Sequence, residues 1–260
     1  MEQNRRTAAI FFSPTETSKK GVLAMAQAFT DTPEIYDVTL PPKAPVQAAL
    51  TAADFAIFGA PVYAGRIFRG ALERMDGIRG AQTPCIVTVT YGNRDYDDAL
   101  LELCDFVRAH SFVVVGAAAL IGEHAYGEIQ KGRPNEEDLA ADLLFAQQIR
   151  YKEEAGQYLS AEVPGQRPYI HGEEGGKGGR FHPLTSDACV QCGLCAAVCP
   201  QGAIDPQNCK KMEESKCIAC FRCIRKCPKG AKNMNVEPYL TFTKEFTAKL
   251  AQRKENRYFR

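Results

Sequence analysis

The first 159 residues alternate short continuous apolar runs with longer amphipathic segments. Five runs, at 7–12, 34–38, 54–60, 85–90 and 112–121, have the length of strands, and the pattern predicts helices over about 17–29, up to 75, up to 110 and over 135–159. Because the runs are continuous rather than alternating, they indicate strands covered on both faces, as in a parallel sheet. Five such βα units predict an α/β fold with an open, doubly wound, five-stranded parallel sheet, on which ligands bind at the carboxyl ends of the strands.

After the last predicted helix, changes in composition divide the chain further. Residues 160–183 contain six glycines and three prolines, which indicates a linker. Residues 184–236 contain an internal repeat of cysteine motifs, and residues 237–260 predict a basic C-terminal helix that packs against the rest of the protein. The predicted segments are therefore 1–159, 160–183, 184–236 and 237–260.

Charge is distributed unevenly, although the formal net charge is only +1. Residues 184–260 contain 14 Lys and Arg against 7 Asp and Glu, a net charge of +7, and the remaining 18 basic and 24 acidic residues give 1–183 a net charge of −6. This asymmetry predicts docking of the basic part on the acidic part or on an acidic redox partner protein. We expect no nucleic-acid partner, because the basic residues surround cysteine motifs and match no nucleic-acid module. The candidates for the docking contact are Arg222, Arg225, Lys226, Lys229 and Lys232.

Eleven cysteines call for an explanation, because a chain of 260 residues buries enough surface to fold without cross-links. No segment approaches the ~20 apolar residues of a membrane span, and the apolar run near the N-terminus is too short for a signal peptide. We therefore expect a cytoplasmic protein without a membrane span. In that compartment clustered cysteines bind metal or do redox chemistry more often than they form disulfides. The sequence predicts no particular oligomeric state.

The spacing C-x2-C-x2-C-x3-C-P occurs twice, with an offset of 28 residues, starting at Cys189 and at Cys217. Thiolates are soft ligands suited to iron–sulfur clusters, and a [4Fe–4S] cluster needs four of them. In this spacing the three closely spaced cysteines bind one cluster and the fourth binds the other. The predicted ligand sets are Cys189, Cys192, Cys195 and Cys227 for the first cluster, and Cys217, Cys220, Cys223 and Cys199 for the second. A pair of structural zinc sites is the alternative interpretation, although zinc sites rarely use this spacing.

On these motifs, residues 184–236 resemble a bacterial-type two-[4Fe–4S] ferredoxin, a small α+β domain. The resemblance implies transfer of single electrons at low potential. Cys209 lies between the motifs and has no place in the ligand scheme, so we interpret it as a free or packed thiol. Cys85 and Cys104 fall in a predicted strand and a predicted helix, where we interpret them as small core residues.

A hydroxyl-rich turn joins the first predicted strand to the first predicted helix. Backbone N–H groups and hydroxyls at a helix N-terminus can bind a phosphate, and the helix dipole favours the negative charge. An ordinary helix cap is the alternative interpretation. The candidate phosphate ligands in this turn are Ser13, Thr15, Glu16, Thr17 and Ser18.

Together with the loops after the third and fourth strands, this turn resembles the FMN-binding loops of flavodoxins, over about residues 5–158. The further FMN-site residues that the resemblance implies are Pro61, Val62, Tyr63, Ala64 and Gly65 after the third strand, and Tyr91, Gly92, Asn93, Arg94 and Tyr96 after the fourth. Gly92 then permits close backbone approach, Tyr91 or Tyr96 stacks on the isoalloxazine, and Arg94 either lies near the flavin N1/O2 edge or forms a surface ion pair. Glu16 stands where the family usually has glycine, so we expect its side chain to point outward and only its N–H to face the phosphate.

Taken whole, the chain resembles a fused flavodoxin–ferredoxin family of redox proteins. The resemblance implies an electron-transfer iron–sulfur flavoprotein that passes electrons between two [4Fe–4S] clusters, FMN and an external redox partner. The alternatives are a flavin-dependent reductase of a small organic or quinone substrate, with the clusters as an internal wire, and clusters retained for stability alone. Whether the protein is an enzyme stays open. His124 and Tyr126 follow the fifth strand, where contact with a substrate and a loop position without a ligand role are both open interpretations.

Overall fold

The computed structural model describes residues 5–157, 159–172, 175–176 and 178–260. The strands are β1 Thr7–Phe11, β2 Glu34–Asp37, β3 Ala48–Ala49, β4 Phe55–Tyr63, β5 Arg66–Ile67, β6 Ile78–Arg79, β7 Thr83–Tyr91, β8 Phe112–Ile121, β9 Leu184–Thr185, β10 Lys232–Asn233 and β11 Arg257–Phe259. The helices are α1 Thr17–Ala26, α2 Arg69–Met75, α3 Ala99–Ala109, α4 Glu136–Glu154, α5 Leu194–Ala197, α6 Arg222–Arg225 and α7 Glu237–Lys249.

The five longest strands of the first half form the predicted parallel sheet, in the spatial order β2-β1-β4-β7-β8. Counted along the chain, this is the order 2-1-3-4-5 of doubly wound flavodoxin-like folds. The predicted fold class is therefore confirmed. The strand order reverses between β1 and β4, so the connections after these strands run to α1 and α2 on opposite faces of the sheet and leave a crevice at its carboxyl edge.

Alternating residues of each central strand face different helical layers. On one face, Ala8 and Ile10 pack in a core with α2 and α3, and on the other, Ala9 and Phe11 pack with α1 and α4. All five residues of β1 and all nine of β7 are buried, which explains why their sequences are continuously apolar. Cys85 and Cys104 are fully buried in the first core, as expected of small apolar residues.

The second half of the chain, which contains the cysteine motifs, is small and is built around a two-stranded antiparallel pair, β9 and β10. The one-turn helices α5 and α6 each follow the first cysteines of a motif and contact one another. This half lies at the carboxyl edge of the large sheet, and three of its basic side chains contact the loops at that edge. Arg222 donates to the Pro14 carbonyl at 2.6 Å, and Lys226 forms an ion pair with Glu16 at 2.8 Å. Arg225 pairs with a carboxylate after β8 at 3.0 Å.

The predicted basic helix over 237–260 is wrong beyond Lys249, where α7 ends. The chain then returns to the large sheet, and β11 adds an antiparallel strand beside β8, with Arg257 opposite Ala119. The tail leaves the helical path because buried side chains bind it. Asn93 donates to two of its carbonyls, and the Tyr258 ring stacks on Phe145 with centroids 4.8 Å apart.

The described residues of the predicted linker run along the surface of the large domain, which is the part of the chain built around the parallel sheet. The Ala161 N–H donates to the Val114 carbonyl at 2.7 Å, and the Gly176 N–H donates to the Tyr63 carbonyl at 2.8 Å. Glu173, Glu174 and Lys177 of this segment lie outside the described residues. In the part of the chain that the structure describes, no helix combines the length and apolar character needed to cross a bilayer.

Candidate functional site

The cysteines of the second half surround two separate cavities. One cavity is lined by four predicted ligands, Cys189, Cys192, Cys195 and Cys227, together with the buried Cys209, and the other by Cys199, Cys217, Cys220 and Cys223. The structure thus brings together each of the two ligand sets that the spacing predicts, and all eight side chains are free thiols. Among the described residues no three potential ligands converge on a single metal-ion position. The thiols instead line the walls of each cavity, an arrangement that suits a cluster of several iron atoms.

Left-handed backbone turns bring the closely spaced cysteines of each motif to face inward. In the first motif Gln191 and Gly193 have φ of 56° and 78°, and in the second Ala219 and Phe221 have φ of 51° and 59°. Residues with positive φ reverse the chain within two positions, so consecutive thiols point to the same side. The aromatic residue at 221 tolerates this conformation because its ring is buried against Tyr126, with centroids 5.0 Å apart.

The acidity of the thiols differs within each set. Burial raises the pKa of Cys220 to about 12 and that of Cys223 to about 12. Burial also acts on Cys227, but backbone N–H groups of residues 229–232 outweigh it and hold the pKa of Cys227 below its ordinary value. Because thiolates are the ligating form, the buried thiols would need a cation at the site to ionise, and the iron of a cluster would supply that charge. The chemistry of both donor sets therefore fits an iron–sulfur cluster.

A cleft of about 260 Å³ lies at the carboxyl ends of β1, β4, β7 and β8. Loops from four strands form it, at the crevice where doubly wound sheets bind ligands. Of the residues predicted to bind FMN, the cleft is lined by Thr15, Thr17, Pro61, Val62, Tyr63, Ala64, Tyr91 and Gly92. The predicted residues that do not line it are Ser13, Glu16, Ser18, Gly65, Asn93, Arg94 and Tyr96.

The end of the cleft next to α1 is suited to an anion. The helix has no side-chain cap, and the N–H groups of Thr17 and Ser18 in its first turn have no intrahelical acceptor. The Ser18 hydroxyl is buried and makes no hydrogen bond within the described residues. The Ser13 hydroxyl, by contrast, accepts from the Lys19 N–H at 3.0 Å and serves the turn itself.

Glu16 has φ of 67°, a left-handed conformation that explains why a glycine is common there. Its carboxylate turns away from the cleft to Lys226, whose hydrogen bond lowers the pKa of Glu16. Its N–H donates to the Ser13 carbonyl at 3.2 Å, which differs from the expectation that this N–H faces the phosphate. The N–H is engaged because the turn closes on itself before the helix begins.

Aromatic side chains also line the cleft. Burial raises the pKa of Tyr91 to about 12, so this phenol stays neutral. The Thr90 hydroxyl is buried and has no hydrogen-bond partner among the residues described, and the Thr90 and Thr17 side chains lie beside the same glycine, Gly122. A side chain at Gly92 would overlap the ring of His124, so the cleft depends on glycine at this position. The cleft therefore offers a ligand both aromatic surface and unpaired polar groups.

His124 and Tyr126 also line the cleft, as the substrate-contact interpretation requires. Burial lowers the pKa of His124 to about 4, so the imidazole is neutral. Its Nδ1 accepts from the Tyr126 N–H at 2.8 Å, which leaves the proton on Nε2. Their position after the fifth strand at the same sheet edge was the only feature of the sequence that pointed to this role.

Three residues of the predicted fourth-strand loop point elsewhere. Arg94 forms an ion pair with Asp97, which agrees with the surface ion pair of the two interpretations, and it does not line the cleft. Asn93 binds the tail carbonyls of residues 250 and 252 at 2.8 and 2.7 Å. Tyr96 is buried behind Tyr91, with an edge-to-face contact at 5.3 Å. The loop turns outward after Gly92 because the returning C-terminal tail binds it.

The cleft and the second cysteine cavity share a wall. Ile218, Ala219 and Cys220 line the cleft, and Ile218 and Cys220 also line the second cavity. The first cysteine set has no residue in the cleft and includes Cys192, an exposed thiol. A larger groove, of about 1300 Å³, runs beside α2 and also reaches Cys217, but it contains none of the predicted FMN residues.

Comparisons with known proteins support the metal chemistry. A family model described as a 4Fe-4S binding domain matches residues 183–205, which contain the first motif from Cys189 to Cys199. This match supports at least one [4Fe–4S] cluster in the chain. No curated protein matches it.

Two solved structures are similar to part of the chain. One, from Bacteroides uniformis, is described as a flavoprotein; it is 15% identical, the alignment covers 47% of this chain and 94% of that one, and the TM-score is 0.36. The other is rubredoxin oxygen:oxidoreductase from Desulfovibrio gigas, 15% identical over 59% of this chain, with a TM-score of 0.40. The alignment spans only 38% of that second protein.

Proposed function

We propose that this protein is an electron-transfer iron–sulfur flavoprotein that passes electrons between two [4Fe–4S] clusters, FMN and an external redox partner. The observation that carries the proposal is the wall shared by the cleft and the second cysteine cavity, in which Cys220 belongs to both. A predicted cluster ligand that also lines the cleft of the predicted FMN residues would allow electron exchange between the two sites.

The FMN assignment is supported by the groups that line the cleft. At one end, the uncapped N-terminus of α1 with Thr15 and Thr17 suits a phosphate. Tyr63 and Tyr91 line the same cleft and supply aromatic surface for an isoalloxazine, and the unpaired Thr90 hydroxyl lies near Thr17, where it adds a donor for the phosphate. FMN, when bound, would supply exchange between one-electron and two-electron chemistry. The residues of the chain orient it and exclude water from the face next to Ala219.

We place the contact with an external partner at the first cysteine set. Cys192 is exposed and lies between Val190 and Leu194, which are 61% and 40% exposed. An apolar patch around an exposed thiol, beside the basic Lys229, suits a redox protein with an acidic rim. Arg222, Arg225 and Lys226 are engaged by the large domain, so they support docking between the two halves. Free thiols and no disulfide among the described cysteines suit a reducing compartment, and we propose the cytoplasm.

Anaerobic purification with quantification of iron, sulfide and flavin tests the proposal. We expect about eight iron and eight sulfide per chain, from two four-iron clusters, and one FMN. Zinc at the cysteines, or an iron–sulfur spectrum without flavin, would contradict it. A matched pair of variants then tests the arrangement: Cys220→Ser is expected to abolish electron exchange between clusters and flavin, and Cys192→Ser to slow exchange with an external acceptor while exchange with the flavin persists.

A flavin-dependent reductase of a small organic or quinone substrate is the second candidate, and His124 is the observation that favours it. Its neutral imidazole keeps a proton on Nε2, which could donate a hydrogen bond to a substrate oxygen as negative charge develops on it during reduction. Steady-state turnover of quinones that falls at least tenfold in His124→Gln, with FMN content unchanged, would favour the enzyme. Equal turnover in the two proteins would favour the electron carrier.

A further inference from the structure

Lys232 is buried inside the cysteine-rich half, although its charge predicted a surface position. Its side chain belongs to β10, and the residue is only 2% exposed. Its ammonium donates to the Cys209 carbonyl at 2.8 Å, and the Thr185 hydroxyl donates to the same carbonyl at 3.2 Å. Backbone pairing of Lys232 with Thr185 fixes both donors around that oxygen.

A buried ammonium needs compensation, because removing a charge from water costs several kcal/mol unless an opposite charge lies near it. The Cys209 carbonyl is a neutral acceptor, and within the described residues Lys232 pairs with no carboxylate. The remaining candidates for the opposite charge are the thiolates of the two cysteine sets. Lys232 lines the cavity of the first set, beside Cys195 and Cys227.

The ammonium lies close to both sets. Cys209, whose carbonyl holds it, packs in one apolar cluster with Cys195 of the first set and Cys223 of the second. The strand that contains Lys232, β10, also contacts α6, the helix that contains Cys223. The backbone N–H of Lys232 also donates toward the Cys227 sulfur. One buried cation therefore lies within electrostatic reach of both cavities.

We propose that Lys232 is an internal counter-cation of the two [4Fe–4S] clusters and that its charge raises the reduction potential of both. The inference rests on the proposed function, since it requires both clusters. A cluster held by four thiolates is anionic and gains a further negative charge on reduction, so a fixed cation in a low-dielectric interior favours the reduced form. Lys232 does not bind iron itself. Its charge acts on the clusters through space, and the Cys209 backbone carbonyl holds the ammonium in place.

Lys232→Met removes the charge at similar length, Lys232→Gln keeps a hydrogen-bond donor without charge, and Lys232→Arg keeps the charge. The matched control is Lys211→Met, which removes an exposed lysine from the same half. Redox titrations of the anaerobic proteins, followed by the electron paramagnetic resonance of the reduced clusters, measure the potentials. We expect Met and Gln to lower the reduced-to-oxidised ratio of each cluster about tenfold at fixed potential, equivalent to about 59 mV for a one-electron couple, and Arg and the control to change it little.

Iron and sulfide analysis of the wild-type protein separates the two claims. If the wild type holds no clusters, the proposed function fails. If it holds them and the potentials of Lys232→Met match those of Lys211→Met, only the role of Lys232 is overturned. Failure of the Met and Gln proteins to assemble clusters that Lys232→Arg assembles would support the requirement for charge. Failure of all three would show a packing role and overturn the inference.

Discussion

Asp142 provides the sharpest test of the energetics of this fold. Its carboxyl lies on α4 and is fully buried, and its Oδ1 accepts from the Tyr258 hydroxyl at 2.7 Å and from the Asn256 amide at 3.1 Å. Its Oδ2 makes no hydrogen bond within the described residues. Burial raises the pKa of Asp142 from 3.8 to about 7, against the two hydrogen bonds that favour the charged form. The C-terminal strand is thus bound to a carboxyl group that resists ionisation.

The shift has a defined sign and size. The folded-state pKa lies above the unfolded one, so the stabilising contribution of Asp142 is complete below about pH 4 and is lost as the pH rises through about 7. A shift of about three units corresponds to about 4 kcal/mol in full. Between pH 5 and pH 8, the part that is lost amounts to about 2–3 kcal/mol.

Asp142→Asn removes the titration and keeps the acceptor oxygen for Tyr258. We expect the free energy of unfolding of the wild type to fall by about 2–3 kcal/mol relative to the variant between pH 5 and pH 8. Anaerobic urea unfolding followed by circular dichroism at four pH values measures the two slopes. Glu137→Gln, at an exposed position of the same helix, serves as control. Parallel pH profiles for the wild type and Asp142→Asn would refute the reasoning.

Three further changes test the cleft and the tail. Gly92→Ala places a methyl group in the ring of His124 and is expected to reduce FMN content severalfold with iron content unchanged, as measured by flavin and metal analysis; full flavin content would contradict it. Glu16→Gly relieves a left-handed conformation worth about 1 kcal/mol, but the lost carboxylate points away from the cleft to Lys226, so FMN affinity in a flavin-fluorescence titration should change little, and much tighter binding would contradict that geometry. Asn93→Ala breaks two hydrogen bonds to the tail and should destabilise the fold by about 1–3 kcal/mol in urea unfolding, whereas an unchanged midpoint would show that the tail is held elsewhere.

The local chemistry of this protein could be predicted from its sequence. The cysteine spacing grouped Cys189 with Cys227 and Cys217 with Cys199, because in the C-x2-C-x2-C-x3-C-P pattern the fourth cysteine of each motif binds the other cluster. The strand from 112 to 121 was predicted to the residue, because a continuous apolar run between polar segments has few other structures available. The resemblance to flavodoxins located the loops of the cleft but not which of their residues face it.

Contacts between segments far apart in the chain were decided only by the tertiary structure. The returning tail turns Asn93 and Arg94 away from the cleft, and no local pattern around residue 93 encodes a partner at residue 250. The same holds for Cys220, which lines both the cleft and the second cysteine cavity, and for the burial of Lys232 at the strand pair of β9 and β10. Spacing and periodicity determine elements and ligand sets because they act within a few residues. Which set faces the cleft, and which charge is buried between the sets, depends on packing across the whole chain.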